Sequence, residues 1–134
     1  MTAEQEVRRA AAALVASFAR NDLEAYFSCF SPDATFLFPT MATLLPSRAA
    51  YREEWAQWQR EQDFHILDCS TSDTHVQVHG DTGVLTHRVR TTLRASGSTS
   101  VLDERETVVF RRQDDGQWLA VHEHLSPTPD SPPP

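Results

Sequence analysis

The stretch ETVVFRRQDDGQWLAVHEHLS, residues 106–126, decides how this chain folds. Val108, Val109 and Phe110 make one apolar, β-favouring run, and Trp118, Leu119 and Val121 make another. Asp115-Gly116 between them is a strong hairpin signal, because glycine reaches the positive φ of a tight turn at no steric cost. The segment therefore reads as two antiparallel strands, and the second carries His122, Glu123 and His124 in a row. A hairpin with that many titratable groups is expected to line something.

Upstream of it the β pattern continues. Residues 64–70, 74–79, 83–94 and 101–112 are candidate strands, with Gly80-Asp81 and Ser96-Gly97 as turns. Before position 64 the pattern is helical. In residues 4–19, Val7, Ala11, Leu14, Val15 and Phe18 fall near a 3.6 period, with Arg8 and Arg9 off that stripe. Asn21-Asp22 breaks the first helix and caps a second at 23–30, where Tyr26, Phe27 and Phe30 share a side. A short strand, 34–38, stops at Pro39. A third helix, 47–60, puts Tyr51, Trp55 and Trp58 on one face by their i, i+4, i+7 spacing. Three helices followed by a meander of long strands predict an α+β fold, a curved and mostly antiparallel sheet wrapped over helices into a cone. Pockets form readily in the mouth of a cone. Residues 1–126 are expected to be a single domain. The Pro-rich 127–134 segment reads as a flexible tail, since it suits neither a helix nor a central strand.

Composition narrows the function. Hydrophobic content of 40% and charged content of 23% are those of an ordinary globular chain long enough for a real core. The net charge of -7 argues against nucleic acid or an anionic membrane as partner, because phosphate binding needs clustered cations. No apolar run approaches the roughly 18 residues of a membrane span, and no secretory signal pattern is present, so a cytoplasmic location is expected. Cys29 and Cys69 read as thiols, not a disulfide. No phosphate-cradling, dinucleotide-binding or nucleophile-elbow motif occurs, so no cofactor is expected. His122 and His124 at i, i+2 have the spacing to share a metal, but nothing supplies the third and fourth ligands, and no metal is expected.

The order of these words resembles the nuclear transport factor 2-like superfamily, which includes ketosteroid isomerases and SnoaL-like polyketide cyclases. The resemblance runs from the first helix to Ser126. NDLEAYFSCFSPDATFLFP, residues 21–39, is similar to the superfamily's pattern of small helix, D-A-T, strand and Pro. The C-terminal hairpin looks like the association domain of calcium/calmodulin-dependent protein kinase II and its stand-alone bacterial relatives. The isomerase resemblance implies a catalytic base where this chain has Phe38, an oxyanion-hole tyrosine where it has Leu14, and a protonated aspartate where it has Glu106. Phenylalanine cannot take a proton, so that mechanism in its usual form is not expected. The association-domain resemblance implies a pocket of three arginines, of which Arg90 matches while Val108 and Leu125 replace the others.

Strand alternation then sorts the residues by face. On this reading Glu106, Val108 and Phe110 face the pocket, with Leu119, Val121, Glu123 and Leu125 facing it from the neighbouring strand. Arg88 and Arg90 share one face, His87 and Val89 the other. His87, His122 and His124 are then expected on an outer, dimer-forming face. Glu123 is expected to pair with Arg90 across the floor, because an unpaired buried carboxylate costs several kcal/mol. Phe38, Tyr51, Trp55 and Trp58 are candidate walls, although each also reads as plain core. The functional expectation is a homodimer binding an unidentified small molecule, of unassigned activity. The alternatives are a non-catalytic self-association module and a lyase or isomerase using Glu106 or Glu123.

Overall fold

The structure is a computed structural model and describes residues 1–130. Helix α1 (Ala3–Ala19) opens with a capping box in which the Thr2 hydroxyl accepts from Gln5 N at 3.1 Å and Thr2 N donates to Gln5 Oε1 at 2.8 Å. Asp22 caps the short α2 (Leu23–Ser28), and Ser47 caps α3 (Arg48–Gln62), which ends on Asp63 at φ 50°. At the α1–α2 corner Asn21 takes φ 56°, and its side-chain amide bonds both the carbonyl and the N–H of Ile66, at 2.8 and 2.9 Å. One polar residue therefore ties the helical corner to the start of the sheet. No helix of the described residues is long and apolar enough to cross a membrane.

The sheet contains β1 (Phe30–Leu37), β2 (His65–His79), β3 (Thr82–Ala95), β4 (Ser98–Arg112) and β5 (Trp118–Pro127), in the order β1-β5-β4-β3-β2. Only the β1–β5 pair is parallel. Glycines at φ 61°, 78° and 88° (Gly80, Gly97 and Gly116) serve the three hairpin turns. The α+β cone read from the sequence is the observed fold, but its segments differ in detail. The two strands expected at 64–70 and 74–79 are one strand. The break between them is absorbed as a register shift between Ser72 and His75, with Asp73 at φ 54°. A second irregularity in β2 falls between Ile66 and Asp68, and a third in β5. Such bulges raise local twist and bend strands this long around the helices. Strand β1 begins at Phe30, earlier than position 34. At the other end pairing continues past the expected domain limit, through Pro127 opposite Glu104 and a Thr128 N–H to Asp103 O bond of 3.0 Å. Residues 131–134 of the expected tail lie outside the described residues.

Helices and concave sheet face meet in one core. Val7, Leu14, Phe27, Phe30, Phe36, Trp55, Ile66, Leu85, Val108 and Phe110 are all buried in it. Its middle is aromatic. Tyr26 contacts Phe18, Phe27, Phe30, Tyr51 and Trp55, with ring centroids 5.1 to 6.0 Å apart. Aromatic pairs at such distances each add about 0.5–1.5 kcal/mol beyond the area they bury.

Candidate functional site

The aromatic cluster does not fill the cone. A cavity of about 640 Å³ remains between the helices and the sheet. Helix α1 contributes Leu14, Val15 and Phe18, and α3 contributes Tyr51, Glu54, Trp55 and Trp58. The segment after β1 supplies Phe38 to Ala42, and β2 supplies Ile66 and Cys69. From β3 come Val89, Thr91 and Leu93, from β4 Leu102, Glu104 and Glu106, and from β5 Glu123 and Leu125. The walls are mostly apolar, and three of the four carboxyl groups, those of Glu104, Glu106 and Glu123, come from the sheet.

The buried pair Glu106 and Glu123, 7% and 3% exposed, forms the floor. Glu106 Oε1 lies 2.6 Å from His87 Nε2, within hydrogen-bond distance. This His87–Glu106 contact is itself buried and joins directly opposed residues of β3 and β4. Glu123 has no donor facing Oε2. Its contact to Glu106 is carboxyl to carboxyl, and that is a hydrogen bond only when one of the two keeps its proton. Burial, then the negative Glu106, then this contact and Glu104 push the Glu123 carboxyl well above the usual carboxylate range. Glu123 is thus driven toward its proton-bound form, beside a Glu106 in contact with an imidazole.

The neighbours follow the same pattern. Burial and then Glu106 raise Glu104. The hydroxyls of Tyr26 and Tyr51 lie 2.8 Å apart, and burial followed by Glu123 raises both phenols well above their ordinary value. The Cys69 thiol is pushed up to about 11, by burial first, with Glu106, Asp68 and Glu123 adding to it against a hydrogen bond from Thr91. On the apolar side Trp55 Nε1–H is buried with no acceptor. Among the described residues no three His, Cys, Asp or Glu side chains converge as metal ligands.

The structure brings together Phe38, Tyr51, Trp55, Trp58, Glu106, Glu123 and Leu125 around the cavity. It separates two others, Arg90 and Val108, from it. Arg90 is exposed on the outer face, and the expected Arg90–Glu123 pair does not form; the residues of β3 that face inward are Leu85, His87, Val89 and Thr91. Accordingly His87 is not an outer-face residue: it is 6% exposed and bound to Glu106. The signal was present in the alternation itself, since Leu85, Val89 and Leu93 alternate with Arg88, Arg90 and Arg94. Val108 shares the face of Glu106 but lies in the core and not on the cavity wall. In β5, Glu123 and Leu125 face inward as expected while Leu119 and Val121 do not. Trp118 and Ala120 take the buried side, because Phe110 pairs with Ala120 but Val109 with His122, leaving Val121 as the extra residue of a bulge that reverses the alternation. His122 and His124 point outward, with His122 Nδ1 2.8 Å from Thr35 Oγ1. Sequence reasoning missed Tyr26, Cys69 and Glu104 on the cavity wall. Glu104 was available from its i−2 relation to Glu106 on one strand.

This cone, with its cavity on the concave sheet face, matches a known family. The family model for the SnoaL-like domain matches residues 7–131. The chain belongs to the SnoaL-like domain family. No curated protein matches the chain by sequence. Three solved structures carry the SnoaL-like comparison further at the level of fold. An NTF2-like protein from Cytophaga hutchinsonii superposes with a TM-score of 0.81 at 15% identity, covering 96% of this chain and 100% of its own. A ketosteroid isomerase-like protein from Erwinia carotovora atroseptica gives 0.78 at 18% identity, covering 96% and 97%. The CaMKII hub of S. rosetta gives 0.77 at 21% identity, covering 96% and 98%. Identities this low show shared architecture, and within a SnoaL-like fold the activity belongs to the cavity's own residues.

Proposed function

We propose that this protein binds a small, mainly apolar molecule in the cone. The observation that carries the reading is the cavity of about 640 Å³, walled by aromatic side chains that line it without plugging it. That volume lies in the range of small-molecule sites, as does the combination of apolar walls with a few polar groups at one end. The test uses N-phenyl-1-naphthylamine, a neutral fluorescent probe. Trp55 and Trp58 line the cavity, so saturable binding of one probe per chain should quench tryptophan emission and sensitise the probe. A probe signal that is weak, unsaturable and without energy transfer from tryptophan would remove the reading.

The acid at the floor favours a catalytic version of the same reading, in which Glu123 gives or takes a proton on the bound molecule while His87 orients Glu106. Phe38, directly before Pro39, makes this differ from an isomerase that uses a carboxylate before the strand-ending proline. The protein is further proposed to be a homodimer through the outer sheet face, where His122 and His124 project and no helix of the described residues covers the strands. Light scattering at micromolar concentration should give twice 15.1 kDa. A larger closed assembly would favour the self-association module, and a mass of 15.1 kDa would reject both.

A further inference from the structure

We propose that the ligand of this cavity is an organic cation: an amine, protonated at neutral pH, on an apolar body. The proposal rests on the ligand-binding reading and assigns the charge of that ligand. Four carboxyl side chains, Glu54, Glu104, Glu106 and Glu123, line the cavity, and none of the chain's 12 basic residues, all arginine, does. His87 contacts Glu106 but stands outside the lining. Glu54 and Glu104 have no side-chain hydrogen bond or ion pair among the described residues. The arginines that form ion pairs spend them elsewhere, as Arg88 does on Asp103.

Two observations independent of the acids point to an occupant. One wall of the cavity is a set of rings, with Tyr51–Trp58, Trp55–Trp58, Trp55–Phe64 and Trp58–Phe64 centroids 6.4, 6.2, 5.0 and 5.3 Å apart. Ring faces turned to a cavity attract ammonium groups through the ring quadrupole, most strongly where water is excluded. Trp55, 1% exposed, lines the cavity, and its buried indole N–H has no partner among the described residues.

The field in the cavity has one sign. Glu104, Glu123, Tyr26, Tyr51 and Cys69 are each driven toward their proton-bound forms by burial and by neighbouring carboxylates, with no cation acting in the opposite sense. A carboxylate ligand meets repulsion there. A neutral one gains no charge pairing from the floor. An ammonium group pairs with it and lets Glu123 ionise, the O–H proton passing to buffer and the electron pair staying on the carboxylate. The groups facing Glu123 are Glu104 and Glu106 from β4, His87 of β3 through Glu106, Cys69 from β2, Tyr26 from α2 and Tyr51 from α3. Helix α1 presents only Leu14, Val15 and Phe18 to the cavity.

The experiment compares three probes of one shape at pH 7 by isothermal titration calorimetry: 1-naphthylmethylamine, 1-naphthalenemethanol and 1-naphthoate. The expected result is amine binding about tenfold or more tighter than alcohol, with no binding of naphthoate. Titrations in buffers of different ionisation enthalpy should show net proton release with the amine only, and Glu123→Gln should abolish that release. Glu54→Gln and Glu104→Gln, in half-buried positions, should each narrow the preference for amine over alcohol, and they keep the test decisive if the Glu123 variant does not fold. Alcohol or naphthoate binding as tightly as the amine, or a preference unchanged in all three variants, overturns the proposal while leaving the ligand-binding reading in place. Failure of all three probes, together with that of the neutral fluorescent probe, removes both.

Discussion

Replacing Glu123 by glutamine keeps the shape of the side chain and removes its titration, so the pH dependence of stability isolates what burial does to this one acid. In the unfolded chain a glutamate gives up its proton near ~4.3. In the fold, burial and the neighbouring Glu106 hold the Glu123 proton to well higher pH. Between those two points the native state binds more protons than the unfolded state, so the stability of the natural chain falls as pH rises. The fall stops once pH passes the raised native value. The steepest slope for one proton is about 1.4 kcal/mol per pH unit. Because Glu106 and Glu123 are in contact, the window belongs to the pair and not to one carboxyl. Glutamine has no such slope. Urea unfolding followed by tryptophan emission at pH 4, 5, 6, 7 and 8 should therefore show the Glu123→Gln variant gaining steadily on the natural chain above pH 5. The gain should approach about 1.4 kcal/mol per unit at its steepest. Contributions from groups remote from the floor cancel in the difference. Two stability curves that stay parallel across the range would refute the reasoning, since Glu123 would then ionise as freely in the fold as out of it.

Arg90→Ala should change stability by no more than about 0.5 kcal/mol in urea unfolding, because the guanidinium is exposed and holds no buried partner; a loss of several kcal/mol would restore the ion pair to Glu123. Gly83→Ala places a Cβ 2.7 Å from Val7 Cγ2 where α1 crosses β3, and should cost about 1–3 kcal/mol through overpacking. Thermal melts of that variant that match the natural chain would mean the helix shifts freely on the sheet. Tyr51→Phe leaves the buried Tyr26 hydroxyl without its 2.8 Å partner and should cost about 1–3 kcal/mol by the same assay. Cys69, with its thiol pushed up to about 11, should alkylate at pH 8 far more slowly than free cysteine, because it carries on the order of a hundredfold less thiolate. Mass-spectrometric rates for Cys69 equal to those of a free thiol would contradict the negative field assigned to the cavity.

Helix starts, the hairpin turns and the order of elements were legible because each depends on a few adjacent residues. Asp22 caps the second helix as its place after Asn21 suggests, and Gly80, Gly97 and Gly116 take the turns their sequence contexts suggest. The aromatic face of α3 was equally plain in the spacing of Tyr51, Trp55 and Trp58, and all three reach the cavity. Glu106 and Glu123 were placed correctly as inward acids. The partner given to them was wrong. Arg90 was set inward by matching one position to a family template, against the evidence of its own strand, where the apolar residues alternate with the arginines. His87 went to the wrong face by the same step. Leu119 and Val121 were misplaced for a different reason. Their alternation was counted correctly, but an extra residue in β5 reversed it, and a bulge leaves no mark in the hydrophobic pattern of so short a strand.

Alternation along a strand states which side chains travel together, and that much was contained in the chain: His87 with Val89, Arg88 with Arg90, Glu104 with Glu106. Which of two faces becomes the inside of a cone depends on the strands and helices that meet there, through contacts between residues far apart in sequence. Thus the His87–Glu106 contact, the carboxyl pair on the floor and the absence of any arginine from the cavity lining are consequences of pairing β3 with β4 and β4 with β5 in one register. The same holds for the space itself. Aromatic residues spaced along helices predict a hydrophobic face, but whether their rings meet in the middle or stand back from it is set by how far the bulged sheet carries its concave side from α3, and only the assembled structure decides that.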